Sequence, residues 1–394
     1  MMALENLLVL DASRILAGPF CGQFFADHGA EVIKIETPEG DANRVWPLVV
    51  NGASANFFSV NRGKQSLTLN LREPDGRKIL HALVRRADVL IHNYLPDTAA
   101  KLGVDDATLV ALNENLIRVV VGGYGARGAL AGKPGYDAMM TGFSGIMSLT
   151  GEPDRPPVKP GVSMVDLSTG MLAFAAAMTA LYARATGAAK GQRVDLSLMQ
   201  TAVSQLGFHG MNFLMAGQVD KREGAESNAL APYGRYRAQD GDIMIGAPTP
   251  PTWRKLCEAI GAKLLPEDPR YLTNDLRCVN EAALRVDLEK FLVTRTVAAW
   301  VEVLDTVGIA NAPVLTVDQV LQHPQVLAND MVVETQSSDG RTHRLLGIPF
   351  TMSGTPGAVG PAPPELGEHT TAILQRHLGY SDADVAALRG RGVV

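Results

Sequence analysis

The chain has 394 residues, of which 46% are hydrophobic and 20% charged, and its formal net charge is −5. This length allows two domains, or one large domain with an insertion, and this composition is typical of a compact globular protein. The acidic balance disfavours nucleic acid as a partner, because binding through charge needs clustered Lys and Arg. Three scattered cysteines predict neither a disulfide framework nor a CxxC motif, so we expect a reducing, cytoplasmic setting.

Short apolar runs alternate with helical stretches in the first part of the chain. Strands are predicted at 7–10, 32–35, 67–71, 89–91 and 119–121. Helices are predicted between the first two strands, ending near His28, and over 74–86, where Pro74 opens the helix. This alternation predicts an α/β fold in which helices cover a parallel sheet.

Two long apolar stretches follow, over 163–184 and 194–216, and both are richer in Ala, Leu and Met than in β-branched residues. They predict buried helices. The most apolar part, 171–183, is shorter than the roughly 20 residues that span a bilayer, so we expect a core helix and no membrane partner. The first residues carry an early acid and do not predict a cleaved signal.

A polar segment over 218–228 predicts a linker. We expect residues 1–217 to form the first part of a large domain and 218–232 to link it to a small α/β domain over 233–316. That domain is predicted to have helices at 253–260, 280–292 and 297–307. Residues 317–394 are expected to return to the large domain and to end in a short helix near 382–388.

The first loop, from Asp11 to Pro19, stands where Rossmann proteins bind a pyrophosphate, and Glu36 stands where a ribose-binding acid would fall. Only Gly18 is present where the dinucleotide motif has three glycines, which disfavours NAD. Dispersed histidines and the absence of HExxH and GxSxG disfavour a metal site and a serine hydrolase. Cys21, near a predicted helix start, is either a thiolate nucleophile or a buried small residue.

Asp166 is a lone acid that enters a strongly apolar helical stretch after a Pro-Gly turn. The residues alone leave two interpretations open. One is an N-terminal cap or a partner of the helix dipole. The other is a partly desolvated nucleophile, since a carboxylate can form a covalent acyl intermediate where water is excluded.

Seven motifs follow one another along the whole chain, at 11–19, 29–36, 61–66, 87–94, 134–137, 161–166 and 366–370. In this order they resemble the motifs of the family III CoA-transferases, the formyl-CoA and carnitine-CoA transferase group. The resemblance implies a Rossmann-like large domain made of N- and C-terminal segments, an inserted small domain and an interlocked homodimer. It also implies that no cofactor is bound permanently, and that acyl-CoA and small carboxylic acids are the substrates.

The same resemblance implies that Asp166 attacks the acyl-CoA thioester and carries first an acyl anhydride and then a CoA thioester. Matched residue by residue, it implies that the following contact CoA: Leu16, Ala17, Leu69, Arg72, Asn93, Tyr94, Lys101, Leu102 and Tyr136. A glycine-rich loop that covers the aspartate in formyl-CoA transferases matches 245–250, where only Gly246 remains as a candidate substrate or oxyanion contact. With this loop depleted, its mobility and a formyl or oxalate specificity do not follow. Leu16 stands in place of a glutamine, so the oxyanion contacts of that position do not carry over.

The pattern over 159–167 is similar to that of enzymes acting on succinyl-CoA and C5–C6 dicarboxylates, which implies acceptors such as glutarate, hydroxymethylglutarate, itaconate or mesaconate. Arg14 is the candidate partner of a second carboxylate, or an ordinary surface arginine. Two alternatives stay open: a racemase or epimerase of 2-methylacyl-CoA, and a catalytically silent CoA-binding protein. Racemases of this fold use a histidine where Tyr136 stands, and a tyrosine with a pKa of about 10 is a poor substitute.

Overall fold

The structure is a computed structural model that describes residues 1–50 and 52–394. The strands are β1 (Leu8–Asp11), β2 (Glu31–Glu36), β3 (Val49–Val50), β4 (Ala53–Ser54), β5 (Gln65–Thr68), β6 (Val89–His92), β7 (Ile117–Gly122), β8 (Arg193–Ser197), β9 (Tyr233–Arg237), β10 (Asp242–Gly246), β11 (Ala310–Pro313), β12 (Val332–Gln336) and β13 (Thr342–Leu346). The helices are α1 (Ala17–Asp27), α2 (Ala55–Val60), α3 (Pro74–Val84), α4 (Pro96–Leu102), α5 (Asp106–Leu112), α6 (Asp137–Phe143), α7 (Ile146–Leu149), α8 (Met164–Ala185), α9 (Leu198–Ser204), α10 (Gly207–Ala216), α11 (Pro250–Ile260), α12 (Asn274–Val279), α13 (Glu281–Leu292), α14 (Val297–Thr306), α15 (Val317–Gln322), α16 (Pro324–Ala328), α17 (Thr370–Leu378) and α18 (Asp382–Gly390). Short 3-10 turns occupy Ala42–Val45 and Leu265–Glu267.

The central sheet has six parallel strands in the order β5-β2-β1-β6-β7-β8. Its inner strands are nearly continuous apolar runs because helices cover both faces, which separates the buried core into two layers. Leu10, Ile33 and Leu90 belong to one layer, and Val9 and Ile91 belong to the other. The predicted α/β fold with a large parallel sheet is confirmed.

The chain divides into two compact units. The first contains Met1–Ile146, Pro160–Gly210 and Pro324–Val394 and includes the parallel sheet. The second contains Met147–Lys159 and Met211–His323 and includes the antiparallel sheet β11-β10-β9.

The second unit is therefore larger than the small domain expected at 233–316, since it adds 147–159, 211–232 and 317–323. Within it, the Arg222 guanidinium group donates to the carbonyl oxygens of Glu152, Pro153 and Arg155 at 3.3, 3.4 and 3.0 Å. These long-range contacts join 147–159 to the segment expected to be a linker.

The prediction of a single buried helix over 194–216 is wrong. Val194 and Leu196 belong to β8, where they pair in parallel register with Val119 and Val121 of β7. Helices α9 and α10 follow, and α10 has no buried residue; Leu214, for example, is 76% exposed. An apolar helix face of this kind is typical of a surface that binds another protein or a membrane.

Helix α8 has 22 residues, and the helix predicted over 163–184 is confirmed. By length and composition alone it is apolar enough to cross a membrane, with a mean hydropathy of 1.5 in its most apolar window. The same test is passed by core helices of globular proteins, and one face of α8 is buried against the sheet and α1. The prediction about bilayer length considered only 171–183, whereas the whole helix is long enough to cross a membrane.

Candidate active site

A cavity of about 760 Å³ lies where β1, β6 and β7 end, at the carboxyl edge of the parallel sheet. Ligands of open α/β sheets bind at this edge, because the loops that follow the strands converge there. All residues that line the cavity belong to the first compact unit. The site residues predicted from the sequence that line it are Arg14, Leu16, Ala17, Asn93, Tyr94, Tyr136 and Asp166.

The other predicted site residues lie elsewhere. Leu69 is fully buried in a core layer, and Leu102 packs against that layer. Arg72 and Lys101 are exposed and do not line the cavity. Gly246 belongs to the second compact unit. The CoA contacts implied for the first four residues, and the substrate or oxyanion contact implied for Gly246, stay predictions.

Asp166 lies in the first turn of α8, but it does not cap that helix. The cap comes from Asp137, whose Oδ1 accepts the backbone N–H groups of Val165 and Asp166 at 2.8 and 3.1 Å. Ser163, the residue at the N-cap position, makes no capping hydrogen bond with its side chain. Because Asp137 fills this role, the carboxylate of Asp166 takes no part in capping the helix.

The Asp166 carboxyl group is half-buried in the cavity wall. Within residues 1–50 and 52–394, neither of its oxygens has a hydrogen-bond or ion-pair partner. Burial, and then the negative charge of Asp137, raise its pKa from 3.8 to about 7. A helix N-terminus favours the anion, but the loss of solvation outweighs that effect here. A carboxylate that is poorly solvated and unpaired is a strong nucleophile for its type.

Glycine brings α8 against α1, next to the cavity. A Cβ on Gly170, one turn after Asp166, would lie 2.6 Å from the carbonyl oxygen of Ala17, at the start of α1. A Cβ on Gly18 would overlap the Cβ of Ser13, in the first loop. These two glycines let the loop, the N-terminus of α1 and the first turn of α8 meet at one place.

The N-terminus of α1 is open to a ligand. Leu16 is its N-cap residue and supplies no capping side chain, so the first-turn N–H groups lack the partner that an Asp or Ser would provide. Leu16 and Ala17 both line the cavity. Free N–H groups at a helix start suit an oxyanion or a phosphate.

Arg14 and Tyr94 form a polar wall of the cavity. The Arg14 guanidinium carbon lies 5.6 Å from the centre of the Tyr94 ring, and Arg14 is exposed. Asn93 fixes the backbone of Arg14 from both sides, accepting its N–H at 3.0 Å and donating to its carbonyl oxygen at 2.9 Å. The backbone that carries the guanidinium group is therefore held in place beside the cavity, where this group can receive an anion.

Two further residues of the cavity were missed from the sequence. His92 ends β6, is buried, and has a pKa lowered to about 4, first by burial and then by the charge of Arg193. It is a neutral imidazole at physiological pH. Lys133 is an exposed cation on the cavity rim, with its Nζ 5.3 Å from the centre of the Tyr124 ring. Lys133 stands in no local pattern that marks it, and the motif at 87–94, which contains His92, did not assign that histidine a role. Only the fold brings both residues to the cavity.

The structure also bears on two roles that the sequence suggested, a ribose ligand at Glu36 and a thiolate nucleophile at Cys21. Glu36, the candidate ribose ligand, is buried and accepts hydrogen bonds from Arg44 and Ser66, each at 2.7 Å, so it is occupied within the protein. Cys21 is buried in a core layer, and burial raises the pKa of its thiol far above the usual range. A buried small residue is the interpretation of Cys21 that fits these surroundings.

The stretch 245–250 is not an open loop. Ile245 and Gly246 end β10, and Thr249 caps α11, which begins at Pro250. Gly246 pairs with Tyr233, and a Cβ there would lie 3.2 Å from the Tyr233 ring. The expected covering loop is reduced to the few residues between a strand and a capped helix.

Residues 4–370 match the family model described as CoA-transferase family III. The succinyl-CoA:glutarate CoA-transferase of Homo sapiens is 33% identical over 394 residues, covering 99% of this chain and 90% of that protein. The succinyl-CoA–D-citramalate CoA-transferase of Chloroflexus aurantiacus is 30% identical and covers 99% of this chain and 98% of that protein. A solved CAIB/BAIF family protein from Brucella suis has a TM-score of 0.88 and 36% identity, over 95% of this chain and 99% of that one. The chain therefore belongs to CoA-transferase family III.

Proposed function

We propose that this protein transfers CoA from succinyl-CoA to a C5–C6 dicarboxylate, with Asp166 as the covalent nucleophile. The observation that carries the proposal is the state of the Asp166 carboxyl group. It is unpaired in the described residues, it lines the cavity, and burial raises its pKa to about 7. A carboxylate that served only the fold would be capped, paired or solvated.

The reaction consists of four exchanges at acyl carbons. The Asp166 carboxylate attacks the thioester carbonyl of the donor, and the C–S bond breaks to give a mixed anhydride and CoA thiolate. The thiolate attacks the aspartyl carbonyl, which releases the donor acid and leaves an aspartyl-CoA thioester. The acceptor carboxylate then displaces CoA to form a second anhydride. CoA thiolate finally attacks the acceptor acyl carbon, which regenerates the Asp166 carboxylate.

Each exchange passes through a tetrahedral oxyanion, which N–H groups stabilise when they are held in place in advance. The uncapped start of α1 supports this role, because Leu16 and Ala17 line the cavity beside α8. Nothing in this scheme needs a metal or a redox cofactor. Water must stay out, since it would hydrolyse the anhydrides.

The substrate class rests on one cation and on the similar proteins. Arg14 presents its guanidinium group to the cavity, where it can bind the second carboxylate of a dicarboxylate. Similar proteins are named for succinyl-CoA as donor and for glutarate, D-citramalate or mesaconate as acceptor. For this chain we propose the same class: glutarate, hydroxymethylglutarate, itaconate or mesaconate.

We further propose a homodimer, interlocked as the family resemblance implies, that works in the cytoplasm. The exposed apolar side chains of α10 support an additional protein surface, since patches of this kind are rarely left in water. Size-exclusion chromatography with light scattering tests the dimer, and a monomer at micromolar concentration would contradict it.

The nucleophile is tested by Asp166→Ala, assayed with succinyl-CoA against a panel of dicarboxylates. We expect transfer to fall by at least about 1000-fold, because the covalent route is lost. Retention of most activity would end the claim. Deuterium uptake at the α-carbon of a 2-methylacyl-CoA would instead indicate racemase chemistry, and tight acyl-CoA binding without turnover would indicate a silent binding protein.

A further inference from the structure

Ile15 lines the substrate cavity in an unusual backbone conformation. Its φ is +74°, in the left-handed region, where a branched Cβ crowds the backbone. Such a residue keeps this conformation only where its surroundings hold it there, and strain of this kind clusters at functional sites. Ile15 lies directly between Arg14 and the N-cap of α1, so its backbone sets the direction of both.

Two buried polar side chains hold Ile15 from beneath the cavity. The backbone N–H of Ile15 donates to Asp41 Oδ1 and Oδ2 at 3.3 and 3.2 Å. The side-chain amide of Asn43 donates to the carbonyl oxygen of Ile15 at 2.6 Å. Asp41 is 3% exposed, Asn43 is 0% exposed, and neither lines the cavity. Their side chains can therefore affect a ligand only indirectly, through the first loop or through the backbone of Ala42, which stands between them and lines the cavity.

Of these two side chains, that of Asp41 is itself fixed by further partners. The Nζ of Lys34 lies 3.0 Å from Asp41 Oδ2, with both side chains buried, and it also donates to the carbonyl oxygen of Ser13 at 3.1 Å. The backbone N–H of Asn43 donates to Asp41 Oδ1 at 3.2 Å, which ties the two holding residues together. A buried ionic pair with all these partners is a rigid support.

We propose that Asp41 and Asn43 are positioning residues for the substrate cavity, which hold Ile15 left-handed so that Arg14 and the start of α1 face the bound CoA ester. The inference rests on the proposed function, because it assigns the cavity to that ester. If Ile15 relaxed to an ordinary φ, the peptide planes on either side of it would rotate. Arg14 would then leave its place, and the N–H groups of α1 would no longer point at the reacting carbonyl.

A double-mutant cycle on Asn43 and Ile15 tests this. Asn43 is the better probe, because removing Asp41 would also leave the charge of Lys34 buried without its partner. We expect Asn43→Ala to lower kcat/KM for succinyl-CoA by about tenfold, the worth of roughly one hydrogen bond. Glycine adopts a positive φ without cost, so in the Ile15→Gly background the same Asn43→Ala change should cost less than about twofold.

The matched control is Asn113→Ala. Asn113 likewise donates from its side-chain amide to backbone carbonyls, at 2.9 Å to Val84 and Ala87, but it does not line the cavity or contact the first loop. We expect this change to lower the stability and to leave kcat/KM within about twofold of the parent. The positioning role is overturned if Asn43→Ala is folded and leaves kcat/KM within about twofold of the parent. It is also overturned if Asn43→Ala lowers kcat/KM as much in the Ile15→Gly background as in the parent.

A crystal structure of the Asn43→Ala protein separates this proposal from the proposed function. We expect Ile15 to leave the left-handed region in it, whatever the substrate is. An Ile15 φ that stays near +74° overturns the positioning role even if transfer is confirmed. Activity retained by Asp166→Ala would overturn the nucleophile and would leave this conformational result standing.

Discussion

Replacing Asp137 by Asn tests how electrostatics set the pH at which Asp166 becomes a nucleophile. The Oδ1 of Asp137 accepts the N–H groups of Val165 and Asp166 at 2.8 and 3.1 Å, so its charge lies close to the Asp166 carboxyl group. An asparagine keeps an oxygen acceptor for these N–H groups and removes the charge. It therefore changes the electrostatics while the cap of α8 remains.

The expected magnitude follows from the two causes of the raised pKa. The pKa of Asp166 rises from 3.8 to about 7, and burial is a larger cause than the charge of Asp137. The charge thus accounts for less than half of the rise, and Asp137→Asn should lower the pKa of Asp166 by about one unit, or about 1.4 kcal/mol. Since the carboxylate is the reactive form, kcat/KM at pH 6 should increase about fivefold.

The assay is transfer from succinyl-CoA to glutarate between pH 5 and 9, with the CoA esters separated by liquid chromatography. The acid limb of kcat/KM should have its midpoint near pH 7 in the parent enzyme, and about one pH unit lower in Asp137→Asn. Asp137→Ala removes the acceptor as well and should also lose about 1 kcal/mol of stability. A midpoint for Asp137→Asn at or above that of the parent contradicts this electrostatic account.

Three further predictions concern the same site. Gly170→Ala places a Cβ 2.6 Å from the Ala17 carbonyl oxygen. Urea denaturation should therefore show a free energy of unfolding lower by about 1–3 kcal/mol, and kcat should also fall. Unchanged stability would contradict the close contact between the two helices. Arg14→Met should lower kcat/KM for glutarate by about 10- to 100-fold and kcat/KM for acetate by much less. Equal decreases for the two acceptors would contradict a role of Arg14 in binding the second carboxylate. For Asp166→Asn, the sign of the stability change follows from the raised pKa of Asp166. The folded protein binds the proton of this carboxyl group more tightly than the unfolded chain does. The stability that the proton contributes is therefore present below pH 3.8 and is lost as the pH rises to about 7. The Asn variant should be more stable than the parent by about 1–2 kcal/mol at pH 8, allowing for the partial exposure of the side chain. This difference in stability should become smaller near pH 4. A variant that is less stable than the parent at pH 8 would contradict the burial of the charge.

The sequence predicted the central sheet because its strands carry their own signal. Buried parallel strands such as β1 and β6 are short, mainly apolar runs between turns, and this pattern is local. Strand β8 was missed because its alternating residues lie between apolar stretches that resemble a helix, and only pairing with β7 makes it a strand. Tertiary pairing overrides local propensity in such cases.

The same contrast between local signals and contacts across the fold applies to the candidate active site. Asp166 was identified as a nucleophile through the family resemblance, while its local sequence equally suggested a helix cap. That ambiguity could not be resolved locally, because the real cap is Asp137, 29 residues away. The support of Ile15 by Asp41 and Asn43 was not predicted either, since it depends on a positive φ and on contacts across the fold.

The most direct test of the account is to locate the covalent intermediate. Enzyme mixed with succinyl-CoA is quenched in acid, digested and analysed by mass spectrometry. We predict a mass increase, corresponding to the CoA thioester, on the peptide that contains Asp166, and its absence from Asp166→Asn. An adduct on another residue, or full turnover by Asp166→Asn without any adduct, would contradict the central claim.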